Sequence, residues 1–268
     1  MKYLACDLDG TLLNKDHTIS QKNLEAIKSF KNAGNKFIIS TGRDLESIYN
    51  LLDRYPEVEC DYIVACNGSI ILNKHNELIV NEYIDSKIVK EIVLEYKDNE
   101  DIFMHFQSEG KHYLVKSKAL ENINSLEEEI KQVASTFKNK ITIEEIINNK
   151  MQYSFFSFFC KNKDIDAIEN IKNSIISKYG KSVEAFRNLF FIDIAPKNCS
   201  KGNGLKNILS LDNISKERLY AIGDSFNDLS MFELTNNSFT FHHVEEHIKN
   251  IANNHVSDVS ECIYRIMN

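Results

Sequence analysis

Four aspartates and a lysine carry the chemistry that this sequence can do. Asp7 and Asp9 are separated by one residue in CDLDGT, and Asp224 and Asp228 lie four apart in GDSFND. Lys201 opens SKGNGLK, and Thr41 and Gly42 sit in STGR. Four carboxylates brought together would repel and shift one another's pKa values. A hard divalent cation resolves that conflict. Mg2+ takes oxygen ligands, keeps several waters, and is typically held by one or two carboxylates plus a substrate phosphate. A lysine at a helix start suits an anion, because the helix N-terminus and the ammonium both favour phosphate. Thr41 adds a hydroxyl and Gly42 an approachable backbone N–H. Together these point to phosphoryl transfer. One carboxylate attacks phosphorus, the cation neutralises the charge that repels it, and a second carboxylate handles the protons.

Such residues need elements that bring them to one place. Residues 3–6, 37–39, 62–65 and 219–222 are short continuous apolar runs, as expected of parallel strands covered on both faces. Helical patterns separate the first three. Ser20 can cap a helix bearing Leu24, Ile27 and Phe30 that Gly34 ends. Leu45, Ile48, Leu51, Leu52 and Tyr55 form a second apolar stripe, stopped by Pro56. Strand–helix–strand order with right-handed crossovers predicts an α/β fold, a doubly wound, Rossmann-like parallel sheet. The four runs end in DLDGT, STGR, CNGS and GDSFND. Ligands bind beyond the carboxyl ends of the strands in open α/β sheets, so four separated segments converge on one pocket.

The middle of the chain has a different pattern. Strand-like runs at 102–106 and 112–115 flank a turn-like Ser-Glu-Gly, and a helical stretch with Leu120, Leu126 and Ile130 follows. Next come a strand at 153–159, a helix with Ile165, Ile168, Ile171 and Ile175, and a strand at 183–186. The expectation is an α+β cap domain over residues 83–188 that covers the pocket, inserted into a core of residues 1–82 and 189–268. A strand at 190–195 is assigned to that core.

Composition narrows the function classes. The 268 residues are 43% hydrophobic, enough for a sizeable core. The net charge of −7 and the absence of a long Lys/Arg run argue against nucleic acid as a partner. No apolar stretch approaches the roughly 18 residues of a membrane span, and the N-terminus has no signal pattern. The expectation is a cytoplasmic protein without a membrane partner. The six cysteines are scattered and have no C-x-x-C spacing, so they are expected to be free thiols.

DLDGT, STGR, SKG and GDSFND, in this order and with a long insert between the second and third, resemble the four motifs of the haloacid dehalogenase superfamily, in particular its Cof-type phosphatases. NAGNKFIISTGR, YIVACNGSIIL, IDIAPKNCSKGNGLK and LYAIGDSFNDLSMFE resemble that family's core. The likeness covers roughly residues 1–82 and 189–235, and in the insert it extends only to size, position and pattern. It implies a Mg2+-dependent phosphatase of small, sugar-phosphate-like metabolites that works through an aspartyl-phosphate. By the resemblance, Asp7 is nucleophile and metal ligand. Asp9 is general acid/base and gives Mg2+ its backbone carbonyl, and Asp224 is the third protein ligand. Thr41, Gly42, Lys201, Asn227 and the backbone N–H of Leu8 hold the phosphoryl group, while Asp228 orients Lys201 or a metal-bound water. One stretch departs from the family: SFTFHHVEEHIK stands where many relatives have a small-residue loop, which leaves the role of His242 and His243 open.

A phosphomutase would use the same aspartate pair and require a bisphosphorylated activator. A dehalogenase would need neither Mg2+ nor Asp9. A non-catalytic phosphometabolite sensor would be expected to have lost Asp7 or Asp9. Plain readings cover the remaining features. His243 and His247 suit a surface helix better than a metal pair, because no third ligand accompanies them. The aromatics at 155–159 suit the insert's core or an interface. Glu127, Glu128 and Glu129 suit a solvated helix face. Candidate substrate selectors in the insert are His105, His112 and Arg187.

Overall fold

Tyr3, Leu4, Ala5 and Cys6 are completely buried. A strand with side chains buried on both faces must lie inside a covered sheet, and β1 (Tyr3–Cys6) does. It lies between β2 (Lys36–Ser40) and β12 (Leu219–Ile222), parallel to both. Beyond β2 come β3 (Tyr62–Ala65), β4 (Ile70–Asn73) and β5 (Leu78–Asn81). Beyond β12 come β13 (Ser238–Phe241) and β14 (Asn254–Val256). The eight-stranded order is β14-β13-β12-β1-β2-β3-β4-β5, parallel from β14 to β3 and antiparallel thereafter. The chain leaves β1 toward β2 and β3, and returns on β1's other side at β12. The boundary between β1 and β12 is therefore a topological switch point, where such sheets bind ligands.

The computed structural model describes residues 1–108, 111–121, 131, 134, 135, 137, 139–188 and 190–268. They form two units, Met1–Asn81 with Cys199–Asn268, and Glu82–Asn198. In the first unit, helix Gln21–Asn32 is capped by Ser20, whose hydroxyl accepts the Asn23 N–H, and it buries Ile27 and Phe30. Helix Leu45–Leu52 is capped by Asp44, and helix Lys201–Leu211 by Ser200. These caps satisfy amide groups that the first helical turn leaves without partners.

The second unit holds a six-stranded sheet, ordered β10-β11-β9-β6-β7-β8. Its strands are β6 (Ile102–Ser108), β7 (Lys111–Val115), β8 (Asn139–Ile141), β9 (Phe155–Cys160), β10 (Val183–Asn188) and β11 (Phe191–Pro196). Met104, Phe106, Phe156, Phe158, Ile192 and Ile194 pack on Val89, Ile92 and Val93 of helix Ser86–Tyr96 and on Ile168 and Ile175 of helix Ile165–Tyr179. Phe103 and Phe159 point to the opposite face and stack at 4.8 Å. The aromatic run thus supplies both faces of this sheet.

One boundary differs from the sequence reading. The strand at 190–195, assigned there to the core, is β11, antiparallel to β9 and β10 in the second sheet. The second unit therefore runs to Asn198 instead of ending at 188. An apolar run reveals strand type but not which sheet it joins. The helix expected around Leu126 and Ile130, the Glu127–Glu129 face and the last two residues of the Ser-Glu-Gly turn lie outside the described residues. Arg187 lies on the helix-covered face, its Nε 2.9 Å from Glu169 Oε1. His105 and His112 occupy the other face.

Candidate active site

The backbone fixes the geometry before any side chain contributes. β1 and β12 run in register to Cys6 and Ile222, and the Asp7 N–H continues the ladder to the Ile222 carbonyl at 3.0 Å. Asp7 thereby sits at the switch point, with the GDSFND loop directly alongside. Gly10 turns the chain out of the strand at φ +77°, and a β-carbon there would lie 2.3 Å from Asp224 Oδ2. No side chain fits at that position, so glycine lets the two acidic loops touch.

Around Asp7 a charge network is assembled. Lys201 Nζ donates to Asp7 Oδ1 at 2.7 Å and to Asp228 Oδ1 at 2.6 Å. The second Asp228 oxygen accepts the Asp224 and Ser225 N–H groups, each at 2.9 Å. Asp228 thus grips both the lysine and the loop that carries Asp224. Thr11 Oγ1 donates to Asp224 Oδ1 at 3.0 Å, and Ser225 Oγ to Asp224 Oδ2 at 3.3 Å. Lys201, Asp7 and Asp228 are each buried to 4% exposure or less.

The electrostatics leave a deficit of positive charge. Two carboxylates outweigh burial and hold Lys201 firmly protonated. Burial pushes the Asp7 carboxyl well above the usual range. Lys201 pulls it back, and Asp228, Asp224 and Asp9 push it further up. Burial, then Asp228, raises Asp224 to about 7. Asp7, Asp224 and Asp228 can place one oxygen each within 4.8 Å of one another. One ammonium cannot balance three carboxylates in a buried site. This oxygen-only set with excess negative charge fits a hard divalent cation.

Asp9 is held differently. Arg43 Nε donates to its Oδ2 at 2.7 Å and Nη2 to its Oδ1 at 2.5 Å, a two-pronged grip on a half-exposed carboxylate. The Asp9 side chain is outside the three-carboxylate cluster, so a metal contact from this residue would fall to its backbone carbonyl. Leu8, between the two aspartates, is buried, and its carbonyl accepts the Leu13 N–H at 2.8 Å.

The remaining candidates line neighbouring strand ends. Thr41 is buried directly after β2; its N–H reaches the Val64 carbonyl at 2.8 Å, and its hydroxyl accepts the Arg43 N–H at 3.2 Å across Gly42. Asn227 is buried, and its Nδ2 donates to Asn67 Oδ1 at 3.1 Å. Arg43 and Asn67 were missed by the sequence reading, although both lie in quoted motifs, STGR and CNGS. The divergent stretch forms β13 and the turn after it, with His242 and His243 exposed. His243 precedes helix Glu246–Ile251, which carries His247, so the two do not share a helix face. They stack instead on Phe241 and Phe226, respectively.

A doubly wound core with this oxygen-rich, lysine-braced site at its switch point suits phosphoryl transfer. The chain belongs to the haloacid dehalogenase-like hydrolases, whose family profile matches residues 4–262. It is 29% identical over 264 residues to the 5-amino-6-(5-phospho-D-ribitylamino)uracil phosphatase YwtE of Bacillus subtilis, covering 93% of this chain and 90% of that protein. Among solved structures it superposes on a haloacid dehalogenase-like hydrolase from B. subtilis, with a TM-score of 0.82, 22% identity, and 100% of this chain and 98% of that one covered. The subclass IIB sugar phosphatase BT4131 gives a TM-score of 0.80 at 20% identity, over 100% and 99% of the two chains. No helix among the described residues is long and apolar enough to cross a membrane.

Proposed function

We propose that the protein hydrolyses small phosphorylated metabolites with Mg2+ and an aspartyl-phosphate on Asp7. The observation that carries this reading is Asp7 itself, buried at the switch point between Lys201 and two further carboxylates. An oxygen of Asp7 bonds to phosphorus as the bond to the substrate's alcohol breaks, and Asp9 gives that alcohol its proton. Water then attacks phosphorus, Asp9 takes the water's proton, and the bond to Asp7 breaks to release inorganic phosphate. Leu8 and Gly42 offer backbone N–H groups to the phosphoryl oxygens, and Thr41, Lys201 and Asn227 offer side chains. Asp7, Asp224 and the Asp9 carbonyl would hold Mg2+, which supplies charge neutralisation between nucleophile and phosphoryl group. Asp228 positions Lys201. The inserted unit serves substrate selection.

A relative named for a phosphorylated ribityl compound supports the substrate class and no finer choice. Six free cysteines suit a reducing, cytoplasmic setting. The test is a screen of phosphorylated metabolites at fixed Mg2+, repeated with chelator. Turnover should vanish with chelator and return with Mg2+, whereas Ca2+ should restore it poorly because its looser shell misplaces the reactants. Full activity in chelator would overturn the reading. A requirement for a bisphosphorylated activator would mark a mutase instead.

A further inference from the structure

The turn between β3 and β4 contains three successive residues in the left-handed region: Cys66 at φ +48°, Asn67 at +52° and Gly68 at +94°. Side-chain-bearing residues rarely adopt this conformation, and asparagine is among the few that tolerate it. A hairpin turn of ordinary purpose would leave its asparagine in solvent. Here Asn67 is completely buried.

Its contacts account for the burial. The Asn67 N–H donates to the Thr41 carbonyl at 3.1 Å, and the preceding N–H, from Cys66, donates to the Arg43 carbonyl at 2.9 Å. Gly68 lies so close to the residue that caps the Lys201 helix that a β-carbon would stand 2.3 Å from the Ser200 carbonyl oxygen. The Asn67 side chain accepts from Asn227 Nδ2 at 3.1 Å. One turn therefore touches the loop after β2, the start of the Lys201 helix and the loop after β12. Asn227 Oδ1 is buried with no hydrogen-bond partner among the described residues. The bond to Asn67 is thus what orients the Asn227 amide, and it leaves the second N–H of that amide to donate elsewhere.

We infer that Asn67 is a positioning residue for phosphate binding: it aims the Asn227 amide at the phosphoryl group and ties that amide to the Thr41 loop. The inference rests on the proposed reading of Asn227 and Thr41 as phosphate ligands. Asn67 itself touches no substrate in this scheme.

The test uses the full chain with Mg2+, inorganic phosphate as competitive inhibitor and a small aryl phosphate as substrate. Asn67→Gly keeps the left-handed turn and removes the acceptor. The Ki for phosphate should rise about tenfold, the worth of one orienting hydrogen bond to a charged ligand. Asn227→Ala should raise Ki by a similar factor, and adding Asn67→Gly to it should raise Ki no further, because the two residues act as a unit. If the glycine variant fails to fold, Asn67→Ser replaces it, since its shorter hydroxyl no longer spans to Asn227, with the same rise expected. An unchanged Ki in Asn67→Gly beside a raised Ki in Asn227→Ala would overturn the inference and leave the phosphate reading standing. Equal rises from Asn67→Gly in both backgrounds would also overturn it. An unchanged Ki in Asn227→Ala would overturn the phosphate reading, and the inference with it.

Discussion

The two sheets of this protein treat polar residues in opposite ways. In the eight-stranded sheet, polar groups gather beyond the ends of the strands, where Asp7, Thr41, Asn67 and Asp224 follow apolar runs. In the six-stranded sheet they lie within the strands. His105 on β6 faces Ser157 on β9, which faces Asp193 on β11, a buried polar row across one face. A parallel sheet covered on both sides has room for chemistry only at its edge. The mainly antiparallel sheet carries its polar row on the face that Ala119 of helix Lys118–Glu121, Ala134 and Phe137 cover in part. If chemistry belongs to the edge of one sheet and recognition to the face of the other, the following experiments can break or sharpen that division.

The largest effect should come from Asp7→Asn. The amide is a poor nucleophile and a weaker metal ligand, so turnover should fall to background. Rapid quench with labelled substrate should trap phosphate on Asp7 in the wild type, and label on any other residue would reassign the nucleophile. Asp9→Asn should follow, with a loss of about 10²–10⁴ in kcat and a smaller change in KM. Arg43→Ala should cost less, roughly tenfold in kcat, because it frees the acid without removing it. Arg43→Lys should recover little, since a lysine cannot reproduce the two-pronged contact. If Arg43→Ala matched the wild type in kcat, the grip on Asp9 would have no part in turnover.

How much of this was legible in the sequence follows the same division. Strands buried on both faces read as unbroken apolar runs whose polar endings singled out Asp7, Asp9 and Asp224 as candidates, whereas Lys201 was read from the start of a helical pattern. The partner of Asp9 was not readable, because the reach of Arg43 depends on how the loop after β2 is tied to the turn at Cys66. Asn67 was passed over inside CNGS, since a sequence does not show that a turn is buried. β11 was placed in the wrong sheet because apolar character sets strand type and leaves the partner to tertiary packing.

The charge deficit at the sheet edge predicts an unusual pH dependence. Asp224 is pushed up to about 7 in the folded protein, and an unfolded aspartate titrates near 3.9. Between those values the folded state binds more protons. The stabilisation is therefore fully present below about 4 and is lost as pH rises through about 7. Chelated protein should melt several degrees lower at pH 8 than at pH 5.5. Mg2+ should narrow the gap, because the ion binds the ionised carboxylates and only the folded state assembles them. Equal melting temperatures at both pH values in chelator would show that the cluster is already balanced without a cation.

The smallest effect should come from the face of the other sheet. His105 is buried, its Nδ1 3.0 Å from Ser157 Oγ and its Nε2 2.7 Å from His112 Nδ1. Phe137 stacks on His105 at 4.0 Å, while His112 is half-buried and forms the outer member of the pair. The two rings can share that contact only if one nitrogen donates and the other accepts. His112→Ala removes the outer ring and changes none of the candidate site residues of the first unit. We predict a loss of roughly three- to tenfold in kcat/KM for the best natural substrate and almost none for a small aryl phosphate. The aryl compound has no remote groups whose binding could be lost. Equal losses on both would make the histidine pair a prop for its own sheet, and would move substrate selection to the loops at the edge of the first.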